Sequence, residues 1–137
     1  MLSTNIDQER AKYAYEKVKD VVENHSELKE KYSAKAVNLP SMILTNGLPQ
    51  ALVFLFSNEN AEDRSYSLLL SHVREWFDDS SADKLRLYTC SAPTNEAFVA
   101  HVIRADAPTL RLITGEVLSL ANWLKRFAEG MIEKGGG

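Results

Sequence analysis

Near the start of the chain, apolar side chains fall at Ala11, Ala14, Tyr15, Val18, Val21 and Val22. Steps of three and four gather them on one stripe of a helix from Asn5 to about Val22. Thr4 or Asn5 can cap its start, and Asp7 and Glu9 suit the positive end of its dipole. On this reading Tyr13 points away from the stripe, an exposed aromatic within a charged face. The next stretch, Glu23 to Tyr32, is polar and either extends the helix or frays.

Pro40 opens a short apolar segment, Ser41-Met42-Ile43-Leu44, that stops at Asn46-Gly47. Asn-Gly between apolar runs is a hairpin signal. However, Pro49 cannot donate to a strand ladder, whereas Gly ends helices and Pro begins them. The spacing predicts two short helices meeting at Gly47. The second, Gln50 to Phe56, is apolar on every side and should be the most buried element. Asn58 to Asp63 is a polar loop. Tyr66, Leu69, Leu70, Val73, Trp76 and Phe77 then form another helical stripe, ending at Asp78-Asp79-Ser80-Ser81. Lys84 to Cys90 alternates weakly at Leu85 and Leu87, in keeping with a short strand. Pro93 and Thr94 open a helix to about Arg104, and Asp106 and Pro108 open the last one.

That last helix has the clearest pattern. Leu110, Ile113, Val117, Leu120, Ala121, Leu124, Phe127, Ala128, Met131 and Ile132 make one broad apolar face, with Ser119, Asn122 and Arg126 opposite. Trp123 and Leu124 should help dock it. Gly115 weakens it by about 1 kcal/mol relative to Ala. The expected fold is all-α: a compact helical bundle of about five to seven helices. Residues 1–134 form one domain, and 135–137 form a flexible glycine tail.

Composition narrows the function. The 137 residues suit one domain, and 45% hydrophobic with 26% charged is ordinary for a globular chain. Lys plus Arg number 16 against 19 Asp plus Glu, a net charge of -3. Autonomous tight binders of nucleic acid are usually basic overall, but a local basic patch stays open. One cysteine, Cys90, allows neither an internal disulfide nor a thiolate zinc site and points to a reducing, cytoplasmic compartment. The opening Met1 to Asp7 does not read as a secretory signal, and Ala51 to Phe56 is too short to span a membrane.

No catalytic constellation emerges. His72 and Glu75 are one turn apart, as metal ligands on bundles can be, but no second copy of the pair exists. A surface or partly buried histidine is the plainer reading, and no metal or cofactor is expected. Cys90 lacks a nucleophile motif and reads as a small buried apolar residue. The carboxylates at 59–63 and 78–83 lack the central glycine of a calcium loop, and no glycine-rich phosphate loop occurs.

Basic residues give a different signal. Lys12 and Lys19 are seven apart and share a helix face, as do Arg10 and Lys17 on another flank. Lys35 follows, and Lys125 and Arg126 lie on the last helix. Such a set could line a phosphate-facing groove. Charge alone favours an ordinary solvated face.

Three blocks change this balance: Arg10-Ala11-Lys12-Tyr13-Ala14-Tyr15-Glu16-Lys17-Val18, then Leu39 through Leu52, then Thr114-Gly115-Glu116-Val117 leading to Asn122 through Ala128. Their order and spacing resemble the small subunit of the type III-B CRISPR effector, the Cmr complex. The likeness spans roughly the whole chain and is least distinctive from Asn58 to Ile113. It is most specific in the middle block, where the punctuation of Pro40, Asn46-Gly47 and Leu48-Pro49 must all coincide.

The resemblance implies an all-helical, non-catalytic structural subunit. Copies would stack along the backbone of an RNA-guided complex, with other Cmr subunits as partners, and help hold the duplex of guide RNA and target RNA. A filament of copies can contribute a few cations each without any monomer being basic, and base pairing would do the reading. The expected phosphate contacts are Arg10, Lys12, Lys17, Lys19, Lys35, Lys125 and Arg126. The alternative is a helical adaptor that binds only protein, which the net charge supports.

Overall fold

The computed structural model describes residues 5–60, 62–80 and 86–132. Six α-helices run through them: α1 (Ile6–Asn24), α2 (Lys29–Asn46), α3 (Leu48–Ser57), α4 (Ser65–Phe77), α5 (Asn95–Arg104) and α6 (Ala107–Met131), with a 3-10 turn at Ser26–Leu28. There is no strand among the described residues, only an isolated bridge between Asp78 and Cys90. The fold is all-α. Lys84 and Leu85 of the expected strand lie outside the described residues. Of Arg86 to Cys90, only Cys90 bridges: its amide donates to the Phe77 carbonyl and the Asp79 amide donates to its carbonyl, each at 2.9 Å. The glycine tail also lies outside them.

The helix starts follow their caps. Asn5 accepts from the Asp7 amide at 2.7 Å, Thr94 from the Ala97 amide at 3.1 Å and Asp106 from the Thr109 amide at 2.9 Å. Each satisfies an amide that has no partner inside its helix. Pro49 and Pro108 sit in the first turns of α3 and α6, where a missing N–H does no harm.

The long helix α6 is the spine of the molecule and packs chiefly on α1 and α2. Ile113, Val117, Leu120, Ala121, Leu124 and Ala128 bury its apolar face as expected. Opposite it, α2 buries Tyr32, Ala36, Leu39 and Ile43, and α4 buries Leu69, Leu70, Val73, Trp76 and Phe77.

Three local expectations are corrected. Pro40 does not open a helix; it lies inside α2, which starts at Lys29 and runs unbroken to Asn46. An interior proline forfeits a backbone bond and costs about 3 kcal/mol. Here Leu39, Pro40 and Ile43 are all buried, and packing against α6 and α4 offsets that cost. The polar stretch from Glu23 to Tyr32 extends α1 only as far as Asn24. It is a corner, where α1 stops at Asn24 and the 3-10 turn leads into α2. Lastly, α3 is not the most buried element: Leu48, Ala51, Leu52 and Leu55 face inward, while Val53 and Phe54 stay over 40% exposed. The junction at Gly47 holds: its φ of 86° is the only positive one among the described residues, a conformation that favours glycine.

The register of α1 also differs. Its buried side chains are Arg10, Tyr13, Ala14, Val18 and Val21, so the inward face is rotated from the apolar stripe. Tyr13 is 2% exposed and Tyr15 is 42% exposed, the reverse of the sequence reading. The Tyr13 ring lies 5.2 Å from Trp76, and its hydroxyl donates to the His72 carbonyl at 2.5 Å. A tyrosine can be buried this way because its one polar atom has a partner.

Candidate nucleic-acid interface

The seven expected phosphate contacts separate into two groups. Arg10 is 8% exposed and turned into the core. Its Nε donates to Glu116 Oε1 at 3.2 Å and its Nη2 to Glu116 Oε2 at 2.5 Å, while Nη1 reaches Asp7. The hydrogen bonds and charge of Glu116 raise the arginine pKa further. A guanidinium committed in this way has no free edge for a phosphate, so Arg10 is a structural tie between α1 and α6. Lys17 donates to Glu75 on α4 at 2.7 Å. Lys35 on α2 donates to Asp63 at 2.7 Å and stands 4.3 Å from the centre of the Tyr66 ring. That ammonium, with bonds from Ser65, holds the Asp63 carboxyl down at about pKa 2 against the opposing effect of burial.

Lys12, Lys19, Lys125 and Arg126 take part in no ion pair among the described residues. Lys12, Lys19 and Arg126 are exposed, and Lys125 is half-buried. On α1, Lys12 and Lys19 stand one turn to either side of Tyr15. The Lys19 ammonium lies 5.9 Å from the centre of the Tyr15 ring. Tyr15 in turn meets Phe127 of α6 edge-on, with centroids 5.7 Å apart, and Phe127 stacks on Trp123 at 5.9 Å. Trp123 Nε1 donates to Asp7 at 3.0 Å, which fixes the indole against α1. Along α6, Arg126 lies about 60° around the helix from Trp123 and Lys125 about 160° from it. Lys12 and Lys19 therefore flank the exposed Tyr15 on α1, Arg126 lies a turn from Trp123 on α6, and Lys125 lies on another flank of that helix.

Neighbouring carboxylates temper this surface. Glu16 lies on α1 between the two lysines, and Glu129 follows Arg126 by one turn, both exposed. A separate cleft of about 620 Å³ lies between the corner at His25 and the starts of α4 and α5. It mixes Arg64 and Arg74 with Glu59 and Glu96. Arg74 is already engaged, donating to Asn95 Oδ1 at 2.7 Å and the Ala92 carbonyl at 3.0 Å.

The other chemistry-bearing residues are internal. His72 is buried, with Nδ1 2.7 Å from the Tyr32 hydroxyl, and burial depresses its pKa to about 3. Glu75 faces Lys17. The two thus point to different partners, and among the described residues no three His, Cys, Asp or Glu side chains converge as metal ligands. Cys90 is buried, and burial pushes its thiol up to about 11. Asp78 accepts from Ser80 at 2.8 Å and from the Ala92 amide at 3.3 Å, bonds that hold a loop and keep its pKa below the usual value. Among the described residues no helix is long and apolar enough to cross a membrane.

The residue that sequence reasoning missed is Glu116. It is 3% exposed, and its Oε1 also accepts from Trp76 Nε1 at 3.1 Å. A glutamate at a heptad-like spacing from Ile113 and Leu120 was the available signal, but its partners on α1 and α4 are invisible to local periodicity.

Comparison with known proteins places these features in a family. Residues 6–131 match the family model described as CRISPR-associated protein (Cas_Cmr5). A protein of Thermus thermophilus, described as CRISPR system Cmr subunit Cmr5, is 30% identical over 124 residues, covering 90% of this chain and 93% of that one. The crystal structure of a CRISPR-associated Cmr5 family protein from the same organism superposes with a TM-score of 0.74 at 25% identity, covering 95% of this chain and 100% of that one. The chain belongs to the Cmr5 family of CRISPR-associated proteins, the small-subunit family of the type III-B Cmr system.

Proposed function

We propose that this chain is a non-catalytic structural subunit of a type III-B effector complex, stacking in several copies along its backbone and helping to hold the guide–target RNA duplex. Its partners are other Cmr subunits, further copies of itself and, through the complex, guide RNA and target RNA, in the cytoplasm. The observation that carries the RNA contact is the exposed Tyr15 ring with Lys12 and Lys19 a turn to either side and Arg126 on the neighbouring α6, none of these cations in an ion pair among the described residues. Lys125 is retained as a contact on a neighbouring flank. Arg10, Lys17 and Lys35 act as ties between helices.

A duplex whose sequence is read by base pairing needs only phosphate neutralisation from such a subunit. Each neutralised phosphate releases a counterion, so affinity falls as salt rises. Replacing Lys12 and Lys19 by Glu should weaken RNA binding by the assembled complex and flatten its salt dependence while the fold stays intact. Unchanged affinity at physiological salt would exclude these two as RNA contacts.

The second reading is a protein-only adaptor. It is favoured by exposed apolar side chains on α2 and α3: Leu44 is 74% exposed, and Val53 and Phe54 face outward from α3. RNA binding by the complex that ignores both salt and the lysine changes would select it.

A further inference from the structure

We infer that the aromatic cluster between α1 and α6 takes unpaired RNA bases by stacking, beside the duplex whose phosphates the flanking cations meet, so the isolated chain binds a free single strand better than a closed duplex of equal length. The inference rests on the reading that this face meets RNA. It names the part of the RNA that the face receives.

The charge on the face of one copy is small, so phosphate contacts hold RNA only when several copies add up, and a single chain needs a further contact. On α1, Lys12 and Lys19 enclose Glu16; on α6, Arg126 precedes Glu129. Neither row carries more than one net positive charge, so counterion release alone supplies little. The rings offer the missing contribution. Tyr15 is 42% exposed, the largest exposure of any aromatic among the described residues save Phe54. Its plane is braced edge-on by Phe127, which is braced in turn by Trp123 at an interplanar angle of 24°. The hydrogen bond from Trp123 to Asp7 locks the far end.

A preformed ring array flanked by flexible cations is the arrangement with which proteins hold single strands irrespective of sequence. The Lys19 ammonium now over Tyr15 is a movable cap. A base arriving on the ring replaces it, and the lysine is then free to reach a phosphate of the same strand. A base inside a duplex already has both faces stacked and cannot make this contact.

The test uses the full chain, with a short oligouridine and a blunt RNA duplex of equal length as probes. Tryptophan fluorescence reports on the surface directly, because Trp76 is fully buried and Trp123 is not. Oligouridine is expected to quench Trp123 at lower concentration than the duplex does. Tyr15→Ala should weaken oligouridine binding by about fivefold or more, and Tyr15→Phe, which keeps the ring, should restore it. Equal binding of the two RNAs overturns the inference, as does indifference to Tyr15→Ala. Absence of quenching at millimolar RNA does the same and points to a protein partner on this face. If Tyr15→Ala is neutral while Lys12→Glu with Lys19→Glu still weakens RNA binding by the complex, stacking fails and the proposed function stands.

Discussion

Arg10 and Glu116, separated by 106 positions in the chain, meet in a two-pronged ion pair inside the molecule, with Trp76 donating to the same carboxylate. The Glu116 side chain is almost wholly out of water, and the pair fixes how α1 is rotated against α6. Removing one partner leaves the other charge in the interior with a weaker partner, Asp7 at the surface for Arg10 or the Trp76 indole alone for Glu116. Glu116→Ala should therefore lower stability by about 3–5 kcal/mol. Urea denaturation of Arg10→Met, Glu116→Leu and the double variant is expected to show that the double loses less than the sum of the singles. Strict additivity would mean that the pair does not couple.

Leu124 is completely buried on α6, the helix that packs chiefly on α1 and α2. Leu124→Ala should cost about 2–5 kcal/mol. A loss below about 0.5 kcal/mol, the range of a surface substitution, would mean that α6 does not dock as described.

Gly115 lies on the exposed side of the same helix, and a methyl group built there meets nothing within 4 Å. Gly115→Ala should raise stability by about 0.5–1 kcal/mol, because alanine loses less backbone freedom in a helix. A higher melting temperature checks this; a lower one would show that the residue needs contact-free backbone for another purpose.

Acid should destabilise the fold through His72. Burial holds its pKa near 3, below the ordinary 6.5. Between those values the unfolded chain takes up a proton that the native one refuses, so stability falls as pH drops from about 6.5 towards 3. Above that window the effect is absent. Asp63, held near 2, acts in the same direction at the acid end, where its unfolded form protonates first. Denaturant midpoints measured across this range should fall on acidification, with a shallower slope in His72→Gln. An identical slope in that variant would assign the acid sensitivity elsewhere.

These features also mark what can be read from the chain itself. The apolar face of α6, the stripe of α4, and the caps at Asn5, Thr94 and Asp106 are local signals, and each appears where periodicity and capping chemistry put it. The orientation of α1 is not local. Arg10 and Tyr13 look like surface residues until Glu116 and the His72 carbonyl, far along the chain, supply their partners. Pro40 misleads for a similar reason, since only packing against α6 and α4 can offset its missing bond. At the interface, the shared face of Lys12 and Lys19 follows from their spacing. The meeting of Tyr15 with Phe127 and Trp123 does not, because it depends on how two helices cross.

The most direct measurement is gentle affinity purification of the tagged chain from its native host, with the accompanying proteins and nucleic acid identified. The account predicts recovery of Cmr subunits together with short CRISPR-derived RNAs. Recovery of unrelated proteins without RNA would contradict it.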